Sequence, residues 1–405
     1  MPSESQIPIA SQLVSRRFAA RLALFYGTVF GVLGTHLPFF PVWLKAIGID
    51  ASWIGIINAV PAVTRFTILP FVTGFAERRH ALRGAMIFTT FATALGLSMV
   101  GTQYQPLALF LAYVATCCLW TPTVPLTDAY ALRGVARYGL NYGPLRLWGS
   151  AAFVVGALAC GLLVDVIAPR QLIWVIVAVA VLAAATSLLL QPLDDSRRRA
   201  VTAQGRDALL RDPAFLAIIV SAALVQCSHA AYYSFASINW QAQGFGGLTI
   251  AGLWTIGVLA EILVFAISPR FTLDPWILIM IGGLSAVVRW SITALEPQVA
   301  VLAIVQLGHG LTFGITQVGT MSQLVRHVPV HAMARGQGYY AAASGLLSSV
   351  ASIGSGVIYA RYGEAVYYVM AAMAGSGAVL IWLARHRLQP HPQSDASGGK
   401  TRLPS

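Results

Sequence analysis

Residues 121–150, TPTVPLTDAYALRGVARYGLNYGPLRLWGS, put one carboxylate, Asp128, and one guanidinium, Arg146, at the ends of a short polar segment between two long apolar runs. The two lie 18 residues apart, so adjacent antiparallel helices joined by a tight turn would bring them face to face. A guanidinium presents a planar fork of donors that matches both oxygens of a carboxylate. Arg146 is therefore the expected contact for an anionic ligand. Asp128 would hold Arg146 in place, or repel the anion until it is itself protonated. If the ligand is neutral, the same pair would hydrogen-bond hydroxyl groups. The plainest alternative is a loop acid and a loop base that happen to lie near helix ends.

Few other ionisable groups fall inside apolar runs, and each is expensive in lipid, so each is expected to face a cavity or a partner. Glu261, in AEILVF, is the only carboxylate deep within such a run. A carboxylate in that position suits proton carriage; its structural alternative is a neighbouring arginine that neutralises it for assembly. Arg65 lies ten residues past Gly55 and Glu261 nine past Gly252, so the geometry allows an Arg65–Glu261 pairing, and Arg65 is also a candidate substrate-binding residue for an anion. Pro61 and Pro70 flank Arg65 and would bend its run. Arg289, in VVRWSI, and His309, in QLGHGL, are the remaining mid-run candidates. His229, with Tyr233 and Ser237 at i+4 and i+8 and Tyr232 and Asn239 nearby, forms a polar-aromatic stripe. Such a stripe would line a cavity and stack an aromatic ligand, or else sit as interfacial aromatics at a membrane surface. His36, in THLPFFP, is the weaker candidate.

The elements that must position these residues follow from composition. Of 405 residues, 57% are hydrophobic and only 10% charged, with mean hydropathy +0.72. A soluble chain carries about 25% charged residues, so the solvent here is partly lipid. Crossing ~30 Å of hydrocarbon takes ~20 apolar residues in a helix. Runs of that kind recur at about 18–40, 53–75, 84–103, 106–128, 144–167, 171–191, 214–241, 249–268, 275–295, 298–324, 335–360 and 365–384. The expected fold is an all-α membrane protein with twelve transmembrane helices in two six-helix halves, residues 1–191 and 214–385. A polar cytoplasmic linker, 192–213, would separate them, and 386–405 would be a disordered cytoplasmic tail.

The formal net charge is +12, but its distribution argues against nucleic acid as a partner. With these runs, 21 of the 26 Lys and Arg residues fall on one side, while Lys45, Arg170 and Arg361 fall on the other. That positive-inside bias places both termini in the cytoplasm of a multi-pass inner-membrane protein. No cleavable signal pattern is present, so the first run is expected to double as the targeting signal. Cys117, Cys118, Cys160 and Cys227 lie in apolar runs without metal-ligand spacing, and neither metal nor cofactor is expected. No His-Glu-x-x-His, no Gly-x-Ser-x-Gly and no carboxylate pair within one run supports an enzyme. A sensor or scaffold would need large soluble domains, which the chain lacks. What remains is a monomeric transporter of a small molecule in the lipid bilayer.

The halves echo each other. Trp43, Gly48 and Gly55 follow the first run, and Trp240, Gly244 and Gly252 follow the seventh. Parallel repeats of this kind describe transporters that alternate access about a midplane site. In this context PFFPVWLKAIGI (38–49), VPLTDA (124–129), YGPLRLWGSAAFVVG (142–156), HAAYYSFASINWQAQGF (229–245), GLWTIGVLAEILVFAIS (252–268) and VVRW (287–290) resemble the major facilitator superfamily. The nearer likeness is to its 3-phenylpropionate transporter family, a branch related to lactose permease. One departure is the loop after the second run: the superfamily's Gly-x-x-x-Asp-Arg-type signature appears only as Gly74, Glu77, Arg78, Arg79 and Arg83.

The resemblance implies proton symport of a small organic acid, an aromatic carboxylate such as 3-phenylpropionate. Neutral sugar or nucleoside uptake, or efflux of metabolites or drugs, are the alternatives. It implies that Asp128 and Arg146 hold substrate, with Trp148 as an aromatic partner two residues on. It also implies that Glu261, Arg289 and His309 form a proton-coupling cluster. Where the permease branch has a second carboxylate one turn past the histidine, this chain has Thr312.

Overall fold

A computed structural model describes residues 9–79, 81–193, 209–329 and 332–388. Among these the regular structure is helical throughout. The N-terminal group comprises α1 (Ile9–Ala46), α2 (Ala51–Thr67), α3 (Leu69–Arg78), α4 (Leu82–Gly101), α5 (Pro106–Trp120), α6 (Thr123–Tyr138), α7 (Tyr142–Val164) and α8 (Leu172–Ser187). The C-terminal group comprises α9 (Pro213–Cys227), α10 (Ala230–Ala242), α11 (Gly247–Ile267), α12 (Pro275–Thr293), α13 (Val299–His309), α14 (Thr316–His327), α15 (Met333–Tyr362) and α16 (Val366–Leu388).

Among the described residues, ten helical stretches are long and apolar enough to cross a membrane, or eleven when α2 and α3 count as one bent span. One of the ten, Arg335–Leu388, takes in both α15 and α16, which a short 3-10 turn at Gly363–Ala365 separates. The expected linker lies outside the described residues over 194–208, as does the expected tail over 389–405. Helix α16 runs three residues into that tail, to Leu388.

Several apolar runs are broken where their sequence requires it. α2 and α3 meet at 45°, at Ile68. Pro70 has no N–H to give the carbonyl four residues back and its ring collides with it, so one continuous helix is not available. α5 gives way to α6 at Thr121–Pro122, delivering Asp128 in the second turn of α6. Between α13 and α14 the chain widens into a π-helical turn, Gly310–Ile315, a device that often marks a functional position within a helix.

The expected echo is present in the backbone. Gly48 and Gly244 adopt positive φ, +92° and +87°, the left-handed helix ending that glycine tolerates best. Around them the bonds correspond: Ile49 N–H to Leu44 C=O and Gly48 N–H to Lys45 C=O in one group, Phe245 N–H to Trp240 C=O and Gly244 N–H to Gln241 C=O in the other. Trp43 and Trp240 are both buried beside these turns.

The two groups meet through α1 and α10, α2 and α15, and α7 and α11. The α7–α11 contact is made at the end of α7 and the start of α11. A Cβ on Gly161 would lie 2.6 Å from the Gly247 carbonyl oxygen and 2.7 Å from the Ala251 Cβ, so the two backbones touch there. Asp165 closes this contact by accepting the Gly247 N–H at 2.9 Å with both carboxylate oxygens, which caps the start of α11. Arg146 and Glu261 lie towards the other ends of the same two helices.

Candidate functional site

Asp128 and Arg146 come together as their spacing predicts. Helices α6 and α7 fold back on each other at Gly139, which takes φ +64°. The Arg146 Nε then lies 3.7 Å from Asp128 Oδ1. That oxygen is already engaged: the Tyr26 hydroxyl donates to it at 2.6 Å and the Tyr142 hydroxyl at 2.9 Å. Arg146 is held instead by stacking, its guanidinium carbon 4.0 Å from the Phe30 ring centroid and 5.7 Å from that of Tyr26. Gly149 makes this possible, since a Cβ there would fall 2.9 Å from Phe30 and 3.1 Å from Arg146 NH1. Among the described residues, no protein acceptor takes the terminal nitrogens of Arg146. The guanidinium is thus oriented from behind by two aromatic rings and a carboxylate, and its two-pronged end is unclaimed.

Glu261, on α11, is partly buried, and Arg146 of α7 is near enough to interact with its charge. Among the described residues no ion pair joins Glu261 to the expected Arg65. Arg65 is exposed. Within the C-terminal group, Glu261 Oε2 lies 3.6 Å from His309 Nε2. Arg289 lies behind that histidine and is only 3% exposed. Its NH1 donates to His309 Nδ1 and to Thr312 Oγ1, each at 3.0 Å, and its NH2 to Gln306 Oε1 at 2.9 Å. Its guanidinium carbon also lies 4.5 Å from the Trp290 ring centroid and 5.0 Å from that of Tyr232. The three expected proton-coupling residues therefore form one connected group.

The remaining candidates divide. Tyr233 is brought to the group, half-buried and close enough to feel the Glu261 charge. His229 is fully buried, with Nε2 3.0 Å from Thr312 Oγ1 and Nδ1 3.0 Å from the Gln226 carbonyl oxygen. Its ring still stacks on Tyr233, with centroids 5.9 Å apart, but its two nitrogens are spent on Thr312 and Gln226, so it has none to offer a ligand. Asn239 accepts from the Tyr359 hydroxyl on α15 and belongs to that contact. Trp148 is 60% exposed; two residues turn a helix by about 200°, so it points away from the gap that Arg146 faces. His36 packs within the N-terminal group, against the Tyr113 hydroxyl at 3.2 Å and between Phe40 and Trp120. In the departing loop motif, the side chains of Glu77 and Arg78 lie outside the described residues. Arg83 donates to the Leu190 and Leu188 carbonyls, at 2.6 and 3.3 Å, and so caps the end of α8.

Reading the sequence missed Tyr26, Phe30, Gln306 and the part played by Thr312. Two signals were available. Tyr26 and Phe30 are spaced i, i+4 and share a helix face, and Gln306, His309 and Thr312 are polar residues repeating every third position in an apolar run.

Comparison with known proteins gives four findings. The family model described as "MFS_1 like family" matches residues 19–370. A probable 3-phenylpropionic acid transporter of Escherichia coli (strain K12) is 33% identical over 369 residues, covering 87% of this chain and 94% of the relative. A putative nucleoside transporter of the same organism is 24% identical over 315 residues, covering 73% and 74%. Among solved structures, the nucleoside transporter NupG superimposes with TM-score 0.80 at 16% identity, over 92% of this chain and 100% of that one.

Proposed function

The chain belongs to the MFS_1-like family of membrane transporters, and we propose that it takes up a small aromatic carboxylate, such as 3-phenylpropionate, together with a proton. Counting α15 and α16 as separate spans and α2 with α3 as one gives twelve helices in two six-helix halves, α1–α8 and α9–α16. Both termini face the cytoplasm of the cell's inner membrane, and the monomer is the working unit.

The observation that carries this reading is the unclaimed end of Arg146, held against Phe30 and Tyr26, with Glu261 of the opposite half near enough to interact with its charge. The coupling follows from counting charge. Arg146 and Arg289 are balanced by Asp128 and Glu261. Protonating Glu261 removes one negative charge and leaves a net positive site in a low-dielectric gap, which favours an anion. A carboxylate then binds in the fork of Arg146, with the half-buried Tyr233 available to pack its ring. The loaded site has the charge of the empty one, so the halves rock past each other without carrying an unbalanced charge through lipid. The α7–α11 contact at Gly161, Gly247 and Asp165 closes one end and must part for the other state.

The likeness to nucleoside transporters supports a second reading, a neutral substrate hydrogen-bonded by Asp128 and Arg146. Against it, Asp128 Oδ1 already accepts two tyrosine hydroxyls. The deciding experiment uses purified protein in liposomes with an internal pH-sensitive dye, with empty liposomes to correct for passive leak of the acid. Each ligand is added in turn: 3-phenylpropionate, related aromatic acids, a sugar, a nucleoside. Proton entry with the acids alone is the expected result. A response to the sugar or nucleoside moves the substrate to the second reading, and silence from all removes both.

A further inference from the structure

The hydrogen bonds around Arg289 determine the protonation of two histidines. A guanidinium only donates, so His309 Nδ1, 3.0 Å from Arg289 NH1, carries no proton. The ring proton of His309 therefore sits on Nε2, which faces Glu261 Oε2. At His229 the fixed partner is the Gln226 carbonyl oxygen, which only accepts, so Nδ1 bears the proton and Nε2 is an acceptor. The Thr312 hydroxyl supplies the donor for Nε2 at 3.0 Å while its own lone pair takes Arg289 NH1. Donors thus run one way, from Arg289 through Thr312 to His229 and on to Gln226. A proton added at His309 Nδ1 would oppose Arg289 NH1, and one added at His229 would put a second buried cation beside Arg289.

The segment that carries Thr312 is tied mechanically to Glu261. A Cβ on Gly310, in the π-helical turn, would lie 2.7 Å from the Ala260 carbonyl oxygen, so the turn packs directly on the backbone next to Glu261. Glu261 Oε2 lies 3.6 Å from His309 Nε2 on α13, and Arg146 from α7 and Tyr233 from α10 are near enough to interact with its charge.

We infer that Thr312 and His229 are positioning residues: they pin Arg289 against His309, hold both imidazoles neutral, and leave Glu261 as the single group of this cluster that takes or releases a proton. This rests on the proton-coupled reading above and adds to it two residues that do not touch the substrate.

The test compares Thr312→Val, which keeps shape and removes the hydroxyl, with Thr312→Ser, which restores it. In proteoliposomes, uphill accumulation of 3-phenylpropionate in Thr312→Val should fall about tenfold or more, as expected for one lost hydrogen bond to a buried charge, with half-saturation within about twofold of wild type. Thr312→Ser should recover accumulation. Unchanged accumulation in Thr312→Val overturns the inference. So does a raised half-saturation with unchanged maximal rate, which would make Thr312 a substrate contact. Independently of transport, a double-mutant cycle in thermal stability pairs Thr312→Val with His229→Leu. Non-additive effects are expected, and additive ones overturn the link. If wild type moves no protons with any acid, the proposed function fails, while the cycle still decides this inference.

Discussion

Replacing Arg146 with lysine keeps the charge and removes the geometry, which makes it the sharpest test of the binding site. The guanidinium stacks 4.0 Å from the Phe30 centroid; losing a stacked cation at a partly exposed position costs ~0.5–1 kcal/mol. The ion pair to Asp128 is long, 3.7 Å, and both side chains are about a third exposed. Its contribution is therefore ~0–1 kcal/mol, part of which a lysine retains. The largest loss is at the ligand, where a compact ammonium replaces a fork that makes two parallel bonds to a carboxylate; one such charged bond is worth ~1.5–3 kcal/mol. Together these predict binding weaker by ~2–4 kcal/mol, or roughly 30- to 700-fold in Kd. Isothermal titration of purified Arg146→Lys with 3-phenylpropionate reads this directly. Affinity within threefold of wild type would show that the fork does not grip the carboxylate, and the site assignment would fall.

Glu261→Gln mimics the protonated side chain, so it should still exchange labelled for unlabelled acid across a vesicle membrane yet lose uphill accumulation; normal accumulation would remove Glu261 as the proton carrier. Gly149→Val should push Arg146 off Phe30, because even a Cβ there falls 3.1 Å from Arg146 NH1. Titration should then show weaker binding of the acid, and unchanged binding would mean that the stack does not orient Arg146. Gly161→Val should pry α7 from α11 at the closed end. Overpacking of ~1–3 kcal/mol shifts the balance between the two states roughly 5- to 150-fold. Spin labels at Val166→Cys and Leu248→Cys, both exposed positions, would report a longer distance, and an unmoved distribution would argue that this contact is not the gate.

Composition and period alone determined much of this protein. With 10% charged residues and recurring apolar runs of ~20 residues, long enough to cross lipid as helices with their backbone bonds satisfied internally, the helical class needed no tertiary information. The Asp128–Arg146 pair was legible too, because a tight turn between antiparallel helices converts an 18-residue spacing into proximity. Even the fate of Trp148 was readable, since 200° of helix separates it from the side that Arg146 presents. Partners across helices were not readable. Tyr26 reaches Asp128 over 102 positions, and Glu261 meets His309 over 48 rather than Arg65. Nothing in the spacing of such residues sets the rotation of one helix against another. That rotation comes from packing, as where Gly161 lets α7 meet α11 backbone to backbone. His229 shows the same limit: the sequence offered it to a ligand, and packing against Thr312 from another helix engaged its Nε2. Local chemistry decided which residues form each helix, and only the packed structure decided which charges see one another.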